Sequence, residues 1–215
     1  MGIEPVILTT DDGLRLEAEL SVPSDAWAGA VLAHPHPQFG GNMRSIVTGA
    51  LFADLPASGV AALRFNFRGV EGSEGSYDEG RGERRDVSAA LETLATTAGL
   101  SELPLIVSGW SFGADTSLAV GDHRLAGWAA VAPPLRFIDE ADTVAATDPR
   151  PKLVVLAEHD QFRDPGSARA IVESWPSVEV LVVPGADHFF VGRTDRVTAA
   201  VLDWTRQLAL GGSTD

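Results

Sequence analysis

Leu105-Ile106-Val107-Ser108-Gly109-Trp110-Ser111-Phe112-Gly113 reads as a buried apolar strand that runs into a Gly-x-Ser-x-Gly turn. Between a strand and a helix such a turn holds its serine in a strained backbone conformation, and both glycines are required because a Cβ at either would collide with neighbouring backbone. The geometry lifts Ser111 Oγ clear of the sheet, as a nucleophile requires. Two glycines around a serine also arise by chance in a chain with 22 glycines among 215 residues. The rest of the sequence therefore has to decide what the turn means.

Outward from this turn, strand-like and helix-like segments alternate, the pattern of βαβ units feeding a parallel sheet. Ala28 to Ala33, Val60 to Phe67, Leu103 to Ser108, Leu125 to Ala132, Lys152 to Ala157 and Val178 to Val183 read as buried strands. Met43 to Ala57, Glu83 to Ala98, Phe112 to Val120, Gly166 to Ser174 and Thr194 to Leu208 read as helices, with Val87, Leu91 and Leu94 on one face at helical spacing. The opening residues differ. Val6 to Thr9 and Leu14 to Val22 flank Asp11-Asp12-Gly13, and Leu14, Leu16, Ala18 and Leu20 alternate with polar residues as in an antiparallel edge hairpin. The whole chain, 1–215, is expected to be one α/β domain, with 211–215 a frayed tail. Only the connection from Pro133 to Pro151 has room for an insertion, enough for a short lid helix and too little for a cap domain.

A serine nucleophile needs a base, a carboxylate to orient that base, and N–H donors for the oxyanion. Where these groups stand on loops after parallel strands, the chain order is serine, acid, histidine. Ser111, Asp160 and His188 follow that order. Asp160 comes after the strand Lys152 to Ala157, and His188 after Val178 to Val183 through Pro184-Gly185-Ala186-Asp187. Both thus fall at strand C-terminal ends, the rim where open parallel sheets bind ligands. Glu158 competes with Asp160 as the orienting acid, and Asp139 or Asp142 would supply it one strand earlier. With His188 as a neutral base, activity is expected to fall at acidic pH.

One oxyanion donor is expected from the Phe112 N–H and the other from the loop His34-Pro35-His36-Pro37-Gln38-Phe39-Gly40-Gly41. Pro35 and Pro37 have no N–H, so His36, Gln38 or Phe39 remains, with His36 preferred by position. Phe39, Trp110 and Phe189 are candidate substrate-binding residues on the predicted site loops, where Phe112, Phe137 and Phe190 also fall. His34 and His36 form a His-x-His pair, but Pro37-Gln38 follows where the zinc-hydrolase pattern continues into Asp-His, so no metal is expected.

Charge narrows the partners. Sixteen basic against thirty acidic residues give a net charge of −14, which repels nucleic-acid phosphates and anionic membranes. There is no cysteine, hence no disulfide and no thiolate ligand or nucleophile. Met1-Gly2-Ile3-Glu4-Pro5 has no secretory or lipid-anchor pattern, and the apolar runs are strand-sized. A cytoplasmic location with neither membrane nor nucleic-acid contact is the expectation, and oligomeric state is not readable.

The segments His34 to Gly41, Leu63-Arg64-Phe65-Asn66-Phe67-Arg68-Gly69 with Gly72-Ser73-Glu74-Gly75, the serine turn, and Gly185-Ala186-Asp187-His188-Phe189-Phe190 together resemble the small α/β-hydrolases related to dienelactone hydrolases. The resemblance spans nearly the whole chain. It implies an eight-stranded, mostly parallel twisted sheet with helices on both faces, no cap domain, no cofactor, and a triad of Ser111, Asp160 and His188. Dienelactone hydrolases proper carry cysteine as nucleophile, and Ser111 departs from them. The resulting expectation is a serine hydrolase of small or short-acyl carboxylic esters acting through an acyl-enzyme. Its rivals are the same triad acting on a thioester, lactone or peptide bond, and a catalytically silent binding protein on the same fold.

Overall fold

A computed structural model describes residues 2–211 of the chain. Of the tail expected at 211–215, Gly211 closes the last helix, and 212–215 lie outside the described residues. Eight strands form one sheet: β1 (Glu4–Thr9), β2 (Arg15–Ser21), β3 (Ala28–Ala33), β4 (Val60–Phe65), β5 (Leu105–Trp110), β6 (Leu125–Val131), β7 (Lys152–Ala157) and β8 (Val178–Val183). Their spatial order is β1-β2-β4-β3-β5-β6-β7-β8, with β1 and β2 antiparallel and β3 to β8 mutually parallel. The helices are α1 (Ile46–Ala57), α2 (Arg81–Thr96), α3 (Phe112–Leu118), α4 (Pro165–Val172) and α5 (Thr194–Gly211).

Burial on both faces explains why the central strands read as continuous apolar runs rather than alternating ones. Along β3, Val31 and Ala33 pack into the core formed with α2, α3 and α4, while Ala28, Ala30 and Leu32 pack into the core beneath α1 and α5. β5 divides likewise, Leu105 and Val107 to the first core, Ile106 and Trp110 to the second. Covering each of these apolar side chains contributes about 1.5–3 kcal/mol for the larger ones. The sheet is a load of paired backbone that the two helical layers keep dry.

The topology places the site. After β3 the chain steps to β4 on one side, then crosses back to β5 on the other, so β3 and β5 are neighbours whose outgoing loops diverge. Ala33 is in register with Gly109, and a crevice opens beyond that pair, at the switch point of the sheet.

Most element ends lie within two residues of the sequence reading, and two local features differ further. The first helix begins at Ile46 rather than Met43, because Met43 is fully buried and its N–H is taken by Asn66 Oδ1 at 2.8 Å, while Asn42 to Ser45 form a turn. The Pro133–Pro151 connection holds no lid helix, only the single 3₁₀ turns Glu140–Asp142 and Val144–Ala146. Its path is set at the start by the buried carboxylate of Asp115, which accepts the N–H groups of Leu135, Arg136 and Phe137 at 2.9, 3.0 and 3.1 Å. Among the described residues no helix is long and apolar enough to cross a membrane.

Candidate functional site

Ser111 stands between β5 and α3 with φ 56° and ψ −121°, a conformation that costs a non-glycine residue roughly 1–3 kcal/mol. The surrounding structure over-determines it. Ser111 N–H donates to the Val131 carbonyl at 2.9 Å, and the Ser111 carbonyl accepts the Ala114 N–H at 2.8 Å. A Cβ on Gly109 would overlap the Gly113 backbone, and one on Gly113 would overlap the carbonyls of His34 and Ala33. The two glycines let α3 start directly over the end of β3.

His188 Nε2 lies 2.9 Å from Ser111 Oγ, and His188 Nδ1 lies 2.8 Å from Asp160 Oδ2. The imidazole and carboxylate are almost wholly buried, at 5% and 3% side-chain exposure, so their interaction is little screened by solvent. Asp160 Oδ1 accepts the N–H groups of Phe162 and Arg163 at 2.8 and 3.2 Å, which keeps the other oxygen turned to the ring. An ionised Asp160 assigns the proton to Nδ1 and leaves the Nε2 lone pair facing the serine hydroxyl. From the other side, Trp110 Nε1 donates to the His188 carbonyl at 3.0 Å, and the His188 N–H reaches Gln161 Oε1 at 3.4 Å. Three strand ends thus bring their side chains together although 77 residues separate Ser111 from His188.

None of the competing acids bonds to His188 among the described residues. Glu158 Oε2 accepts the Gly185 N–H at 2.7 Å, which braces the turn leading to His188. Asp142 pairs with Arg84 at 3.2 Å, and Asp139 is exposed at the start of the 3₁₀ turn, with no contact to His188. His159 and His123 are exposed beside Glu158 and Asp122.

In the loop after β3, hydrogen bonding separates the three candidate donors. The Gln38 N–H goes to His36 Nδ1 at 3.2 Å, and the Phe39 N–H to the His36 carbonyl at 3.1 Å. The His36 N–H has no acceptor among the described residues, and the Phe112 N–H, at the first position of α3, has none within its helix. Both His ring pairs are occupied inside the protein. His34 Nδ1 lies 2.6 Å from the Pro35 carbonyl and Nε2 accepts the Phe67 N–H at 3.0 Å, while His36 Nε2 meets Tyr77 Oη at 3.3 Å. Burial holds His34 far below the ordinary histidine range, at about 3, and also lowers His36, with the Arg136 charge adding to the effect.

A cavity of about 410 Å³ opens over Ser111 and His188. Phe39, Trp110, Phe137 and Phe189 line it, together with Phe162 and Arg136, which the sequence reading did not single out. Phe112 and Phe190 are fully buried core instead. Phe39, Phe162 and Phe189 are at least 42% exposed, so the mouth is an apolar rim. The signal for Phe162 was its place two residues after Asp160; Arg136 had none, because its position depends on the Asp115 carboxylate.

No protein-family model matches the chain. The uncharacterized protein RP471 of Rickettsia prowazekii (strain Madrid E) is 32% identical over 184 residues, 81% of this chain and 77% of that protein. Among solved structures, an alpha-beta serine hydrolase homologue from Coxiella burnetii is 32% identical, with 93% of this chain and 96% of that one covered and a TM-score of 0.82. XC6422 from Xanthomonas campestris, described as an a/b serine hydrolase without lid, is 26% identical over 96% of this chain and 95% of its own, with a TM-score of 0.81.

Proposed function

This chain belongs to the α/β serine hydrolase family, and we propose that it cleaves small carboxylic esters through an acyl-enzyme formed on Ser111. The observation that carries the reading is the hydrogen-bonded series Ser111 Oγ, His188 Nε2, His188 Nδ1 and Asp160 Oδ2, with contacts of 2.9 and 2.8 Å. As Oγ attacks the ester carbonyl, its proton passes to Nε2, and the imidazolium so formed donates from Nδ1 to Asp160. The carbonyl oxygen, now negative, is received by the N–H groups of His36 and Phe112. One such donor contributes on the order of 3 kcal/mol to the transition state in related mechanisms. The tetrahedral adduct collapses when His188 returns the proton to the departing alkoxide, which leaves as alcohol. Water then takes the place of the alcohol, and the same steps release the acid and restore Ser111 Oγ–H.

A small or short-acyl substrate is supported by the open approach to the serine. The connection at Pro133–Pro151 adds only 3₁₀ turns, and the cavity of about 410 Å³ is bounded by aromatic rings rather than by a cap. Hydrolysis of p-nitrophenyl esters from acetate to palmitate, measured for the native chain and for Ser111→Ala, tests the reading. Native turnover of acetate to hexanoate with none for Ser111→Ala is the expected result. Equal rates for both proteins overturn the assignment, and a preference for palmitate overturns the short-acyl part.

A further inference from the structure

Arg136 carries the only formally charged side chain among the residues lining the cavity over Ser111. Its guanidinium makes no salt bridge among the described residues, feels the buried Asp115 carboxylate only at longer range, and lies over the Phe137 ring, 5.2 Å from the centroid. Arg84, by contrast, reaches across to Asp142 of the same connection at 3.2 Å. Among the described residues Arg15, Arg163, Arg169 and Arg193 also make no salt bridge, but of these arginines only Arg136 lines the apolar cavity over Ser111.

The residue is also held in place. Asp115 sits four residues after Ser111, in the helix that leaves the serine turn, and is 3% exposed. Its carboxylate grips the N–H groups of Leu135, Arg136 and Phe137, and Leu135 is forced to φ 53°, a left-handed conformation that leucine adopts only when held there. A buried charge with three backbone donors and a strained neighbour is a costly way to build an ordinary surface loop. What it achieves is a fixed register between the nucleophile and Arg136.

We infer that Arg136 is a specificity residue, and that the esters taken by this site carry an anionic group, a carboxylate, on an apolar body, with the charge placed against the Arg136 guanidinium while Ser111 attacks the ester carbonyl. The inference rests on the esterase reading above. A guanidinium presents paired N–H donors that match a carboxylate, and the aromatic rim formed by Phe39, Phe162 and Phe189 covers the apolar part.

Two matched pairs of substrates test it, one for each side of the ester. p-Nitrophenyl hydrogen adipate is compared with p-nitrophenyl hexanoate, and 4-acetoxybenzoate with 4-methylphenyl acetate. The readout is the ratio of kcat/KM for the charged over the neutral member, in the native chain, Arg136→Gln and Arg136→Glu, at low and high NaCl. In at least one pair the ratio is expected to fall about fivefold in Arg136→Gln, a modest factor because the guanidinium is exposed. It falls further in Arg136→Glu, and the native ratio declines at 0.5 M salt, on the order of the weakening that screening brings. The pair that responds identifies the acyl or alcohol side as the charged one. Ratios that match across the three proteins in both pairs overturn the inference while leaving the esterase reading intact. Absence of native turnover on all four substrates overturns both together. Retention of the native melting temperature by Arg136→Gln separates a specificity effect from a folding defect.

Discussion

Gly113 lies against the carbonyl of His34, so close that a Cβ on the glycine would overlap that oxygen. The contact joins the helix after the nucleophile to the loop that follows β3, the two segments that carry the Phe112 and His36 N–H groups. Gly113→Ala is therefore expected to push these two donors apart. A misplacement of about 1 Å at a reacting centre costs on the order of 10²-fold in rate. Ester hydrolysis by Gly113→Ala should show that loss in kcat, whereas native-like kcat would mean that the two donors do not act together.

His34 makes folding stability depend on pH. Its folded value of about 3 lies below the ordinary 6.5, because burial disfavours the charged ring more than the Pro35 carbonyl favours it, and the neighbouring His36 adds to the lowering. Between these values the unfolded chain binds a proton that the folded chain refuses. The contribution is complete above pH 6.5 and is lost as pH falls towards 3, at about 1.4 kcal/mol per pH unit. Denaturant unfolding of the native chain and of His34→Asn from pH 7 to 4 should give a shallower slope for the variant. Parallel slopes would remove His34 as the source.

Asp160 and Glu158 are two residues apart, yet only Asp160 reaches His188. Asp160→Asn should lower kcat by roughly 10⁴-fold, the scale seen when the orienting carboxylate of such a triad becomes an amide. Glu158→Gln should lower it less than tenfold, since that side chain braces the Gly185 turn and does not touch the histidine. Equal losses would show that the turn and the carboxylate contribute alike.

Asp115→Asn puts an amide where three N–H groups seek an acceptor. Leaving such donors without good partners costs about 1–3 kcal/mol. A lower melting temperature and faster tryptic cleavage after Arg136 are expected, and an unchanged cleavage rate would argue that the carboxylate does not hold the loop.

Period and chain order made much of this legible in the sequence. β7 and β8 fall on the expected residues, because their apolar runs end abruptly at polar or proline residues. The rim carrying Ser111, Asp160 and His188 followed from placing each residue after a strand. Sequence could not separate His36 from Gln38 and Phe39 as free amides, since that depends on which N–H groups the loop uses to fold on itself. Nor could it show Arg136 at the cavity, because a carboxylate twenty-one residues earlier fixes the loop through backbone contacts alone. Such contacts leave no periodicity and no motif.

The central claim is that Ser111 is a nucleophile activated by His188. A fluorophosphonate probe followed by intact mass and peptide mapping tests it most directly. The expected result is one adduct per chain, on Ser111, absent from Ser111→Ala and strongly slowed in His188→Ala. An unmodified native chain, or an adduct on another residue, would contradict the account.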